Sequence, residues 1–131
     1  MNIEHFAVNV SDPVAMADWY VKNLGMIIVR QVDEGPMTRF LADTSRRVVM
    51  EAYRQNAPVP DYAAMNPFTF HVAFFADDVA KARAQLIAAG AKPEGEITEA
   101  PNGDVLCFLR DPWGLTLQLA KRGTALLDQG G

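Results

Sequence analysis

Apolar and polar residues alternate along HFAVNV (5–10), with Phe6, Val8 and Val10 on one side and His5, Ala7 and Asn9 on the other. A period of two predicts a half-buried strand, spanning 3–10. The pattern turns helical over DPVAMADWYVKNLG (12–25), where Asp12 suits the N-cap, Pro13 the first helical position and Gly25 the stop. Glycines and polar clusters then delimit strands over 26–32 and 37–43. RVVMEAY (47–53) predicts a fourth strand, in which Val48, Met50 and Ala52 oppose Val49, Glu51 and Tyr53. A carboxylate in the middle of that apolar run needs a reason.

The same succession returns further on. DDVAKARAQLIAAG (77–90) repeats the helix pattern, with Asp77 as its expected N-cap and Gly90 as its stop, and Val14, Ala15 and Ala17 match Val79, Ala80 and Ala82. HVAFFA (71–76) opens on His as HFAVNV does, FLRD (108–111) matches FLAD (40–43), and LTLQLA (115–120) follows as RVVMEAY does. Strands are also expected over 92–98 and 104–110. In strand 68–75, Phe70, Val72 and Phe74 should face the core and Thr69, His71, Ala73 and Phe75 the other side. In strand 115–120, Leu115, Leu117 and Leu119 should pack under the helix, leaving Thr116, Gln118 and Ala120 to line a cavity or groove. Each half therefore reads strand–helix–strand–strand–strand. The expected organisation is a first module at 1–53, a proline-bearing linker at 54–67, a second module at 68–121 and a tail at 122–131, one α+β domain overall.

Composition narrows the function. The chain has 131 residues, a net charge of −4 and scattered Lys and Arg, which speaks against nucleic acid. Its single Cys, Cys107, excludes an internal disulfide and a Cys-based zinc site, and is expected as a small core residue. No apolar run approaches the ~20 residues of a membrane helix. With neither a charged leader nor an apolar leader segment in view, a cytoplasmic location is expected.

Repeat equivalence supplies the candidate chemistry. His5 and His71, the only two histidines, occupy matching positions, and so do Glu51 and Gln118. A pseudo-twofold axis between the halves would gather two imidazoles, a carboxylate and an amide oxygen, a ligand set for a divalent transition metal such as zinc, nickel, manganese or iron. A lone strand histidine is usually a hydrogen-bonded structural residue; the joint equivalence is what points to a metal. On the same faces lie Asn9, Tyr53, Phe75 and Thr116, expected with Trp113 of the DPWG turn to meet a small-molecule substrate. Arg30 and Arg39 are candidates for an anionic group, but periodicity does not fix their faces.

These residues resemble the vicinal oxygen chelate superfamily, which includes glyoxalase I, extradiol dioxygenases, methylmalonyl-CoA epimerase and the fosfomycin- and bleomycin-resistance proteins. The resemblance covers about 1–121 and is carried by His5, DWYVKNLGM (18–26), VMEAY with Glu51, FHVAF with His71, and DPWGLTLQL (111–119). It implies paired βαβββ modules curling a mixed sheet around a central cavity, a homodimer, and a metal held by His5, Glu51, His71 and Gln118. The family's last ligand is usually Glu, and Gln118 departs from it. A Gln cannot act as a base, so Glu51 would be the only carboxylate at the metal able to move a proton. The implied function is a glyoxalase-like lyase or isomerase whose substrate chelates the metal through neighbouring oxygens. The alternatives are a metal-free binding protein of the bleomycin-resistance type and an iron(II) extradiol dioxygenase.

Overall fold

The computed structural model describes residues 1–127; positions 128–131 of the expected tail lie outside the described residues. Two compact units are present, Met1–Pro60 and a second that begins at Asp61, so the boundary falls inside the expected linker.

The first unit runs β1 (His5–Asn9), α1 (Pro13–Leu24), β2 (Ile27–Gln31), β3 (Arg39–Ala42) and β4 (Val49–Tyr53). Its sheet has the order β1-β4-β3-β2. β1 and β4 are parallel, and the other pairs are antiparallel. The second unit runs β5 (Val72–Phe75), α2 (Val79–Ala88), β6 (Lys92–Glu99), β7 (Val105–Arg110) and β8 (Thr116–Lys121), with the matching order β5-β8-β7-β6 and the same directions. The duplication predicted from sequence is therefore a duplication of topology and register. Ala7, Glu51 and Phe40 are cross-strand neighbours in one sheet, as Ala73, Gln118 and Phe108 are in the other.

Each sheet is covered on one face by its helix. α1 buries Pro13, Met16, Ala17 and Tyr20, the i, i+3, i+4, i+7 stripe of an amphipathic helix, and packs on β2, β3 and β4. Beneath it Val8, Val10, Leu41, Met50 and Ala52 are buried, each large side chain contributing about 1.5–3 kcal/mol. The Asp12 carboxylate accepts from the Ala15 N–H at 3.0 Å, and Gly25 ends the helix at φ +68°. α2 packs on β6, β7 and β8 over Leu109, Leu115, Leu117 and Leu119, all buried.

Several expectations are corrected. The second N-cap is Asp78, whose carboxylate accepts from the Lys81 N–H at 3.0 Å; Asp77 lies one residue outside. Pro13 has no side-chain acceptor, so the first helix is capped by Asp12. At the equivalent place in the second half, Asp78 carries its own carboxylate. The strand expected over 68–75 begins only at Val72, because Asn66 nucleates a turn by accepting from Phe68 N and Thr69 N, both at 2.9 Å. Phe70 is consequently exposed rather than in the core. In β8 both faces are buried, Thr116, Gln118 and Ala120 included.

Candidate functional site

β1 and β4 run side by side in parallel, with His5 opposite Val49 and Ala7 opposite Glu51. This register brings the imidazole of His5 to Glu51: Nε2 lies 2.7 Å from Oε2. On its other side, Nδ1 lies 2.9 Å from Oε1 of Glu4. Glu51 is largely enclosed, its side chain 14% exposed, whereas Glu4 is 88% exposed. The carboxylate that looked misplaced in a strand thus faces away from the helix and against an imidazole.

The hydrogen-bond inventory of this contact is informative. A neutral imidazole has one N–H and one lone pair, and a carboxylate only accepts. With Nδ1–H given to Glu4, Nε2 and Glu51 Oε2 face each other lone pair to lone pair. Such a contact is stable with a proton between the atoms or with a metal ion bound by both. A carboxylate on the far nitrogen of a metal-binding histidine is also the usual support for one.

The second unit repeats half of this arrangement. His71, just before β5, shares a face with Gln118, which pairs with Ala73. Its Nδ1 lies 2.9 Å from the carbonyl oxygen of Pro67, in the turn set up by Asn66. That bond engages Nδ1 and leaves Nε2 as the ring nitrogen that could serve a ligand. The ring stands edge-on to Phe108, with centroids 5.0 Å apart. In both halves, then, Nδ1 is tied to an oxygen, and in the first half Nε2 meets the Glu51 carboxylate as well. Among the described residues, no three His, Cys, Asp or Glu side chains are grouped so as to hold a metal ion.

A cavity of about 350 Å³ opens over the first sheet. His5, Glu51 and Glu4 form its polar end, while Phe40, Val29 and Val49 supply apolar wall, and Arg30 lines it too. Arg30 was an anion candidate with no assigned face. A bulge decides the matter: Ile28 pairs with Leu41 but Arg30 pairs with Phe40, so Val29 is the extra residue. Val29 and Arg30 both line the cavity, and the Arg30 guanidinium lies 5.8 Å from the centre of the Phe40 ring.

The remaining candidates fare differently. Asn9, expected at a substrate, ties down the chain after β4: its amide donates to the carbonyls of Ala57 at 2.9 Å, Pro58 at 3.3 Å and Gln55 at 3.4 Å, and its Oδ1 accepts from Gln55 N at 2.7 Å. Thr116, also expected at a substrate, is buried, and its hydroxyl accepts from Arg110 at 3.0 Å. Tyr53 is half-buried two residues beyond Glu51, Phe75 is exposed on the His71 face, and Trp113 is half-buried in its turn. That turn is held by Asp111, whose Oδ1 accepts from Trp113 N and Leu115 N, both at 2.9 Å. Arg39 is buried and closes the β2–β3 loop on Asp33, at 3.0 Å, and the Val32 carbonyl, at 2.9 Å. Cys107 is buried, and burial pushes its thiol up from the ordinary value, which suits a core residue.

Sequence reasoning passed over Glu4, Phe40 and Arg110. Glu4 had a signal, its place next to His5. Arg110 had none in the local pattern: its guanidinium donates to the Tyr62 and Met65 carbonyls, each at 2.8 Å, and pairs with Glu94 at 3.0 Å.

A model of the glyoxalase/bleomycin resistance protein/dioxygenase superfamily matches residues 2–119. No curated protein matches the chain. Solved structures do. A glyoxalase family protein from Enterococcus faecalis is 26% identical over 92% of this chain and 97% of its own, with a TM-score of 0.68. A glyoxalase-related enzyme from Fulvimarina pelagi is 18% identical over 100% and 95%, TM-score 0.72. TnmS3, an antibiotic binding protein from Streptomyces sp. CB03234, is 19% identical over 93% and 96%, TM-score 0.71. Among the described residues, no helix is long and apolar enough to cross a membrane.

Proposed function

This chain belongs to the glyoxalase/bleomycin resistance protein/dioxygenase superfamily, and we propose that within it the protein is a metal-dependent enzyme of the lyase or isomerase type. His5, Glu51, His71 and Gln118 are its ligands for a divalent ion, and its substrate is a small molecule presenting two neighbouring oxygens. The observation that carries this reading is the 2.7 Å contact between His5 Nε2 and Glu51 Oε2, with Nδ1 taken by Glu4. When bound, the metal would act as a Lewis acid that polarises a substrate oxygen.

The chain's own residues supply the rest. Glu51 is the group able to accept a proton next to a carbonyl, because Gln118, at the equivalent position, has no basic oxygen. Glu51 stands at the polar end of the cavity with its side chain 14% exposed, where a bound substrate would cover it. Glu4 holds the His5 ring in one orientation. Phe40, Val29 and Val49 give the substrate an apolar wall, and Tyr53 and Trp113 are further contacts in this reading. A cytoplasmic homodimer belongs to the same proposal, and light scattering in solution checks its dimeric part.

Metal analysis of protein purified without added metal is the direct test. Near one divalent ion per chain is expected, lost in Glu51→Ala and in His71→Ala. Zinc affinity should fall as pH falls, because the proton competes for the same two atoms. Absence of bound metal, with a melting temperature indifferent to added zinc, nickel, manganese and iron(II), would reject it. A second reading, metal-free capture of a small molecule, is favoured by Gln118 and would then take its place.

A further inference from the structure

The two sheets carry equivalent rows across their strands. In the first, Ala7, Glu51, Phe40 and Arg30 lie in register; in the second, Ala73, Gln118, Phe108 and Glu94 do. The small and aromatic positions are kept, and the two outer polar positions differ. In the second row Glu94 is committed, its carboxylate bound by the Arg110 guanidinium at 3.0 and 3.3 Å. In the first row Arg30 is exposed, and no carboxylate pairs with it among the described residues. Arg39, on the neighbouring strand, has its ion pair with Asp33. The two carboxylates of the Arg30 cavity are both taken up by His5 at the other end.

From this we infer that Arg30 is the specificity-determining residue of the site, an anchor for a carboxylate at one end of the substrate. The bulge at Val29 is what aims it. Without the extra residue, alternation would send Arg30 to the helix face beside buried Leu41. With it, the guanidinium rests over Phe40 and keeps its fork of N–H donors for a ligand. Within that row two strand spacings separate Arg30 from Glu51, about 10 Å between backbones, with Phe40 between them. The substrate class that fits is an organic monocarboxylate with a flat apolar body: carboxylate on Arg30, body on Phe40 and Val29, oxygen-bearing end at His5 and Glu51. A dianionic phosphate is a poorer fit, since one guanidinium meets only half its charge and Glu51 faces the same cavity. The assignment deepens the functional reading by naming the substrate's charge, and it rests on that reading for the ligand's far end.

The test uses the full chain and three probes of one shape, benzoate, benzamide and phenyl phosphate, with binding followed by protein-observed NMR. Benzoate should bind about tenfold more tightly than benzamide, the margin of one charge-assisted bidentate contact at a partly exposed site. Arg30→Gln should bring the two within about twofold while leaving the melting temperature unchanged, because the side chain is exposed. Arg30→Lys should keep part of the preference, having the charge without the fork. No preference for benzoate, a preference that survives Arg30→Gln, or phenyl phosphate binding as tightly as benzoate each overturns the assignment. Zinc titration of the same variant separates the two proposals. Zinc binding unaltered by Arg30→Gln while benzoate selectivity is lost supports the anchor, and selectivity that depends on Arg30 in a protein that binds no zinc supports it while removing the metal.

Discussion

Replacing Arg110 with Met keeps most of the side chain's bulk and removes the guanidinium. That group is 11% exposed and serves several partners at once. It donates to the Tyr62 and Met65 carbonyls, both at 2.8 Å, to the Gly114 carbonyl at 3.2 Å and to the Thr116 hydroxyl at 3.0 Å, and it pairs with Glu94. Charge-assisted bonds of this kind are worth about 1.5–3 kcal/mol each when deleted singly, but they share one donor group and do not add. Glu94 is 37% exposed, so its carboxylate can turn to water and its share is discounted. The two short bonds to the Tyr62 and Met65 carbonyls dominate, and the expected loss is about 3 kcal/mol, near the low end for breaking a buried pair. In a chain of this size that lowers the melting temperature by roughly 10 °C. Urea unfolding followed by circular dichroism measures the loss as a shift of midpoint at constant slope. The local signature is faster hydrogen exchange at the Ala64 and Met65 amides, which close the short 3₁₀ turn Tyr62–Ala64. Arg110→Lys should recover less than half, since one ammonium cannot span Glu94 and two carbonyls. A loss under about 1 kcal/mol, or full recovery by Lys, refutes the view of Arg110 as a multi-partner clamp.

Two further outcomes follow from the fold. Gly114 adopts φ +91°, and a Cβ there would stand 2.7 Å from the Ala63 nitrogen, whereas Gly25, at φ +68°, has open space around it. Gly114→Ala should therefore destabilise by about 3 kcal/mol or more and Gly25→Ala by about 1; equal losses would show that the close approach is not what selects Gly114. Asp104 accepts from Gly123 N and from Arg122, and these bonds hold its carboxyl below its ordinary value of 3.8. A depressed carboxyl stabilises the fold above the unfolded value and loses that stabilisation as pH falls through the folded one. The stability gap between wild type and Asp104→Asn should thus be full at pH 7 and shrink below about pH 3.8; a gap independent of pH contradicts it.

The repeat was legible because helix caps, glycine stops and strand alternation recur in one order, and those signals are local. The equivalence of Glu51 and Gln118 agrees with the register, in which each pairs with an alanine of the first strand of its own sheet, Ala7 and Ala73. What escaped was whatever depends on a break in periodicity or on a partner far away in sequence. The Asx turn at Asn66 shortened a strand that alternation extended to 68. The bulge at Val29 gave Arg30 a face that alternation could not assign. Asn9 and Arg110 lie on regular strands, yet their polar groups serve chain segments some 46–48 residues distant. Composition and spacing do not record such commitments. They took Asn9 and Thr116 as free to meet a substrate when both already had partners.

Glutamate and glutamine codons differ at a single base. The row that holds Gln118 is therefore one point mutation away from carrying a carboxylate opposite Ala73 and beside Phe108, as the first row carries Glu51 beside Phe40. Because the backbone register of the two rows already agrees, such a change would need no remodelling of the sheet. A duplicated scaffold of this kind keeps a carboxylate at the matching position of the second sheet within reach of ordinary mutation, without disturbing the row that holds Glu51.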